Sequence, residues 1–176
     1  LLLIALLGAI YGTVIHVPSE YATIQEGINA AVDTDTVLVA QGAYYENLTI
    51  YKNITLTSNA IYDDLSVWAE YSLTFGQYEL LNDNIDNTVI NGSLDTNGED
   101  VQSVIYINSQ GECIEPVIFG FTITGGDGKL VTYQNDEGET VSERRGGGFY
   151  SNNALPEIHY NYIHDNNGTS ESPIHS

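Results

Sequence analysis

Residues 23–58 read TIQEGINAAVDTDTVLVAQGAYYENLTIYKNITLTS, and this stretch decides the fold. Thr23 and Glu26 make a T-x-x-E capping box, in which the threonine hydroxyl serves the free amides of a first helical turn. Ile24, Ile28, Ala31 and Val32 fall at i, i+4, i+7 and i+8 and form one apolar stripe. Gly27 lowers the helix propensity, and two turns are marginal in isolation, so this helix must lie on something. The open end of a stack of strands would serve. After it come a strand at 36–40 (TVLVA), a turn at Gln41-Gly42, a run at 45–50, and ITLTS at 54–58. Leu48/Ile50 and Ile54/Leu56 alternate with polar neighbours, so each run buries one face. The three runs are expected to lay down one full turn of a coil. Lys52, in a polar corner, is expected to be solvated and replaceable.

Working outward, TVIHV at 13–17 predicts a first strand ended by Pro18. Residues 1–12, LLLIALLGAIYG, are apolar but fewer than the ~20 needed to span a bilayer. They read as the h-region of a secretory signal, with a buried first strand as the alternative. Residues 59–87 break the rhythm with Trp68 and the run VWAEYSLTFGQYELL, and are expected to fold back on the flank of the coil. The rhythm returns in TVING (88–92), SVIYINS (103–109) and PVIFGFTITGG (116–126). A polar, acidic excursion at 127–145 precedes GGGFYSN (146–152) and PEIHYNYIHDN (156–166). Ile118, Ile123 and Gly126 match Ile158, Ile163 and Asn166 at one common offset of 40. Setting the excursion aside leaves roughly 21 residues per repeat, at the short end of known periods. Further repeats are expected beyond Ser176, because an uncapped last repeat exposes strand edges.

The 176 residues suffice for one domain with a real core. Twenty-four acidic residues face four basic ones (Lys52, Lys129, Arg144, Arg145), a net charge of −20. Such a surface repels nucleic acid and anionic membranes, which excludes both as partners. It also disfavours a bare polyuronate unless divalent cations bridge the two, and it suits salty surroundings, where screening weakens self-repulsion. The single cysteine, Cys113, has no intramolecular disulfide partner and is expected to fill the core within CIEPVIF.

The opening A-T-I-Q-E-x-I-N-A-A, then D-T-V-L-V-A, G-x-Y-x-E-N and N-I-T-L-T-S, resembles the start of proteins of the pectin-lyase-like superfamily. GFTITGG, GGGFYSN and NYIHDN resemble later repeats of the same family. The resemblance implies an all-β fold, a right-handed parallel β-helix (solenoid) of three parallel sheets with a short N-terminal capping helix, here as a fragment without its C-terminal cap. Together with the signal reading of the first residues, this divides the chain into a signal remnant (1–12), an N-terminal strand and capping helix (13–35), and β-helix turns (36–176) with excursions at 59–87 and 127–145, which the resemblance does not cover. Thr34 stands where such sequences often have glycine and Gln41 where they often have proline, which leaves the turn shapes open. Asn53 and Asn166 are candidates for stacked corner asparagines.

Enzymes of this superfamily cleave or epimerise acidic polysaccharides, which takes a base and cations to neutralise developing charge. The arginine-bearing pattern of pectate lyases is absent, as are the paired aspartates and G-H-G of polygalacturonase-like hydrolases. The remaining catalytic candidates are His164 and Asp165, as an acid–base pair, and Arg144, beside three glycines. His159 and Glu157 are expected on one strand face. Tyr150, Tyr160 and Tyr162 are candidates for stacking on sugar rings. Asp95, Glu99 and Asp100, and separately Asp136, Glu137 and Glu139, could offer oxygens to calcium, although neither run has an EF-hand spacing. The resulting expectation is a secreted or cell-surface scaffold, extracellular or periplasmic, that contacts polysaccharide without catalysis in this segment and without membrane insertion. The alternatives are a polysaccharide lyase or glycoside hydrolase with catalytic turns partly beyond residue 176, and an adhesin-type passenger.

Overall fold

The computed structural model describes residues 12–93, 102–109 and 111–168. Strand β1 (Val14–Val17) leads to helix α1 (Ile24–Ala30), followed by β2 (Thr36–Val39), β3 (Gly42–Tyr45), β4 (Leu48–Ile50) and β5 (Thr55–Ser58). A 3-10 turn (Asn59–Tyr62) opens the first excursion, which holds β6 (Ala69–Ser72), β7 (Gln77–Leu80) and the one-turn helix α2 (Asp83–Asp86). Then come β8 (Thr88–Asn91), β9 (Ile105–Asn108), β10 (Val117–Phe119) and β11 (Thr122–Thr124). The second excursion is the hairpin of β12 (Lys129–Gln134) and β13 (Thr140–Arg145), after which β14 (Phe149–Asn152), β15 (Glu157–His159) and β16 (Tyr162–Ile163) complete the order.

The protein is all-β. A first sheet runs β1-β2-β5-β10-β15, a second β3-β8-β11-β16 and a third β4-β9-β14. Every pairing within these three is parallel, whereas β6–β7 and β12–β13 are antiparallel hairpins. From β2 onward the chain visits first, second and third sheet in unvarying order, and each strand pairs with the one laid down on the preceding visit. The sequence offset of 40 is the strand register itself, with Ile118 opposite Ile158 and Ile123 opposite Ile163.

Registered apolar residues build the core. Ile15, Val37, Leu56, Ile118 and Ile158 stand in one row across the first sheet. Ile90 and Ile123 stack in the second, and Leu48 and Ile50 lie opposite Ile105 and Ile107 in the third. β-Branched side chains fill these rows because they pack well on pleated surfaces and lose little freedom there. No single circuit could bury such a row, and each depends on its neighbour.

Helix α1 closes the β1 end. The capping box is present in both directions, with the Glu26 amide donating to the Thr23 hydroxyl and the Thr23 amide to the Glu26 carboxylate. Ile24 and Ile28 are fully buried. A Cβ on Gly27 would lie 3.0 Å from a Val17 methyl and 3.2 Å from a Val37 methyl, so the glycine lets the helix settle onto β1 and β2. Val32 departs from the expected stripe: the helix ends at Ala30, and Val32 lies beyond its cap, 61 % exposed.

Both ends of the helix are held from the first circuit. The Glu46 carboxylate accepts from the amides of Ile24 and Gln25, both at 2.9 Å. The Lys52 ammonium donates to the carbonyls of Ile28, Asn29 and Ala31, so this lysine is a helix clamp rather than a solvated corner. Opposite charge at each terminus also favours the helix dipole. The Gln25 side chain accepts from the Thr49 amide (2.7 Å) and donates to the Thr49 carbonyl, completing the free edge of β4 as a neighbouring strand would.

Other expectations need correction. The chain does bend at Gln41, between β2 and β3, but residues 42–45 form a strand of the second sheet, and a further corner at Glu46-Asn47 divides the run expected at 45–50. The run at 54–58 therefore begins the second circuit instead of completing the first, since Thr55 lies opposite Thr36. Cys113 is exposed, and its neighbour Ile114 takes the buried place. Thr34 keeps the left-handed turn that glycine would adopt (φ 78°), and the Gln41 side chain donates to Asn84 and to the Asp83 carbonyl of α2.

Candidate functional site

The first excursion is ordered by its own polar residues. Asn82 caps α2 by accepting from the Ile85 amide, and Asn82 and Asn84 both donate to one oxygen of Asp63. These two donors, Asn84 first, hold the Asp63 carboxyl below its ordinary range. Ile85 is fully buried, and the Thr122 hydroxyl donates to its carbonyl, which ties the excursion to the second sheet. Above this base, Tyr71 and Tyr78 meet edge to face across the β6–β7 hairpin, ring centres 5.3 Å apart.

Trp68 leads into that hairpin and leans over the last circuit. Its ring meets Tyr160 edge-on at 5.9 Å, and Tyr160 in turn packs on Phe119 at 5.2 Å. Trp68, Ala69, Tyr78 and Tyr162 line a half-open cavity of about 300 Å³. The Tyr162 ring lies 4.7 Å from that of His164, and His164 Nδ1 is 2.9 Å from an Asp165 carboxylate oxygen. The cleft is thus walled by aromatic rings, one of which, Tyr162, carries the His164–Asp165 pair against its ring.

The backbone beside the cleft is strained. Tyr160 and Asp165 are left-handed, with φ of 54° and 50°. One circuit earlier, at the same offset of 40 shared by the corner hydrogen bonds, the equivalent positions are Gly120 (φ 81°) and Gly125 (φ 76°). A Cβ on Gly120 would lie 2.8 Å from Ala60 and Ser58, and one on Gly125 only 2.4 Å from the Asn91 side chain. The last circuit keeps this turn shape with residues that carry side chains, at a cost of roughly 1 kcal/mol each. The next residue stabilises each corner: Asn161 accepts from the Phe121 amide and donates to the Ile118 and His159 carbonyls. Asn166 repeats the pattern with Gly126, Ile123 and His164.

Of the sequence candidates, Tyr160, Tyr162, His164 and Asp165 come together here. Tyr150 does not: it lies in the third sheet, stacked on Tyr106 with ring centres 5.6 Å apart. Arg144 is turned onto Asp127 (3.4 Å) and the Gly128 carbonyl at the base of the second hairpin. Glu157 and His159 share a strand face as expected, 3.3 Å apart. Asp95, Glu99 and Asp100 lie outside the described residues. Asp136, Glu137 and Glu139 sit in the β12–β13 turn, where the Asn135 side chain accepts from the Glu137 and Glu139 amides. Among the described residues, no group of three or more His, Cys, Asp or Glu is placed to hold a metal ion. Asn53 accepts from the Glu115 amide instead of stacking on another asparagine, and the side-chain exchange between circuits is made by Asn152 and Asn108.

Trp68, Tyr78 and Phe119 were not sequence candidates. The signal for the first two was the aromatic content of an excursion too long for a corner. Phe119 looked like one more apolar strand residue. None of the four cations lines the cleft. Besides Arg144, Lys52 holds α1, Lys129 donates to Gln102 and lies over Tyr106, and Arg145 pairs with Glu143. No helix among the described residues is long and apolar enough to cross a membrane. No protein-family model matches the chain, and no curated protein matches it.

Proposed function

We propose that this chain is a right-handed parallel β-helix of the pectin-lyase-like kind, secreted or displayed at a cell surface, that serves as a scaffold contacting polysaccharide. The cyclic visiting of three parallel sheets supports the architecture, and parallel crossover connections are right-handed in nearly all proteins. The observation that carries the function is the cleft of Trp68, Tyr78 and Tyr162. Ligand sites are concave, mostly apolar, and furnished with a few convergent polar groups. Aromatic faces are electron-rich and attract the polarised C–H bonds on a sugar ring. The test is to incubate the purified chain with a panel of soluble glycans, following retention in affinity gels together with new reducing ends and unsaturated products. Retention without turnover is expected. Absence of retention on every glycan overturns the reading.

A second reading, a glycoside hydrolase or polysaccharide lyase, draws support from the His164–Asp165 pair, 2.9 Å apart beside the cleft wall. Its signature is turnover that is lost in His164→Ala, and that result overturns the scaffold reading. Lyase chemistry on a uronate is the less supported branch, because no cation lines the cleft to balance the carboxylate.

A further inference from the structure

We infer that the cleft between the β6–β7 hairpin and the last circuit is a subsite for an uncharged sugar ring, stacked on Trp68 and Tyr162 and hydrogen-bonded at its rim by the His164–Asp165 pair. The inference rests on the glycan-contacting reading and names its ligand class. Three independent observations lead to it.

The first is shape and chemistry. The cavity of about 300 Å³ has room for a single ring, and its lining of Trp68, Ala69, Tyr78 and Tyr162 offers faces in place of charges. The second is electrostatic. The chain carries a net charge of −20, and its four cations are engaged elsewhere, so an anionic ring would enter against repulsion with no partner inside. A neutral ring meets no such barrier, and its hydroxyls can donate to the Asp165 carboxylate, whose side chain is 87 % exposed.

The third is positional. Tyr160, whose ring meets Trp68, and Asp165, bonded to the His164 that packs on Tyr162, occupy left-handed corners that glycine occupies one circuit earlier. Glycine would satisfy the same turns without strain. The corner hydrogen bonds come from Asn161 and Asn166, so the turns themselves do not use the side chains of the residues before them. Strained residues of this sort gather at ligand sites, where a side chain is held in place against local preference.

The experiment compares xyloglucan and galactomannan, both neutral, with polygalacturonate and alginate, both anionic, by affinity gel and titration calorimetry at low and high salt. Binding to a neutral glycan is expected, with little salt dependence. Trp68→Ala and Tyr162→Ala are each expected to weaken it about tenfold or more, as aromatic anchors do. Tyr150→Ala, in the third sheet, serves as the unchanged control. Asp165→Gly is expected to weaken binding while melting no lower than the parent, which separates a ligand role from a folding role even if Trp68→Ala fails to fold. Tighter binding of polygalacturonate or alginate overturns this inference and leaves the scaffold reading standing. Neutral-glycan binding that survives both aromatic changes also overturns it. Failure to bind any of the four overturns both.

Discussion

Thr34 holds a left-handed backbone, φ 78°, that a β-branched side chain rarely adopts. Its amide donates to the Asn53 carbonyl of the next circuit at 2.7 Å, so the turn is fixed by pairing and the strain is retained. Thr34→Gly is expected to stabilise the chain by roughly 0.5–1 kcal/mol, after allowing for the extra freedom of glycine when unfolded. Urea unfolding with a lower midpoint in the variant would sink that account. Its neighbour Asp35 is buried and accepts from the Val32 amide and from both the amide and hydroxyl of Thr13. Chiefly the Val32 and Thr13 amides hold its carboxyl below the ordinary range. The depressed value means that the unfolded state binds the proton first on acidification. The stabilisation is therefore complete above the ordinary carboxylate range and is lost as pH falls through the lower folded value. Melting temperature followed below that range should drop less steeply for Asp35→Asn than for the parent. Parallel acid limbs would rule Asp35 out as a contributor.

At the scale of elements, α1 is a lid held by tertiary contacts more than by its own propensity. Its seven residues are too few to persist alone, yet Ile24 and Ile28 are sealed and both termini are clamped. Ile28→Asp should cost about 3 kcal/mol or more, since it buries an unpaired charge. Lys52→Ala should cost about 1–2 kcal/mol through the lost charged hydrogen bonds to the carbonyls of Ile28, Asn29 and Ala31. Lys52→Ala melting with the parent would exclude the clamp. The capping box and the Ile24/Ile28 stripe were legible because their partners lie within one helical turn. Lys52 was misread because its partners lie more than 20 positions away, and a lone lysine beside an asparagine looks the same whether it is solvated or docked. Val32 continued the periodicity past the point where the chain leaves the helix. Cys113 was misplaced by its company, since only one of two adjacent residues in an alternating run can take the buried face, and Ile114 took it.

At the scale of the whole molecule, the offset between Ile118/Ile123 and Ile158/Ile163 foretold the register of two sheets, because stacked strands copy one apolar pattern. The aromatic cleft was only half legible. Tyr160, Tyr162, His164 and Asp165 are neighbours in sequence, but Trp68 reaches them from an excursion whose direction no local pattern encodes. The same stacking grades the energetics along one row. Ile118 lies between Leu56 and Ile158 and is fully buried, whereas Ile158, on the outermost described strand of the sheet, is 38 % exposed. Ile118→Ala should therefore cost about 2–5 kcal/mol, the usual range for emptying a packed aliphatic site, and Ile158→Ala distinctly less, because its side chain is already partly in water. Urea unfolding of the two variants checks the order. Equal losses would mean that the rows are not stabilised by burial between neighbouring strands.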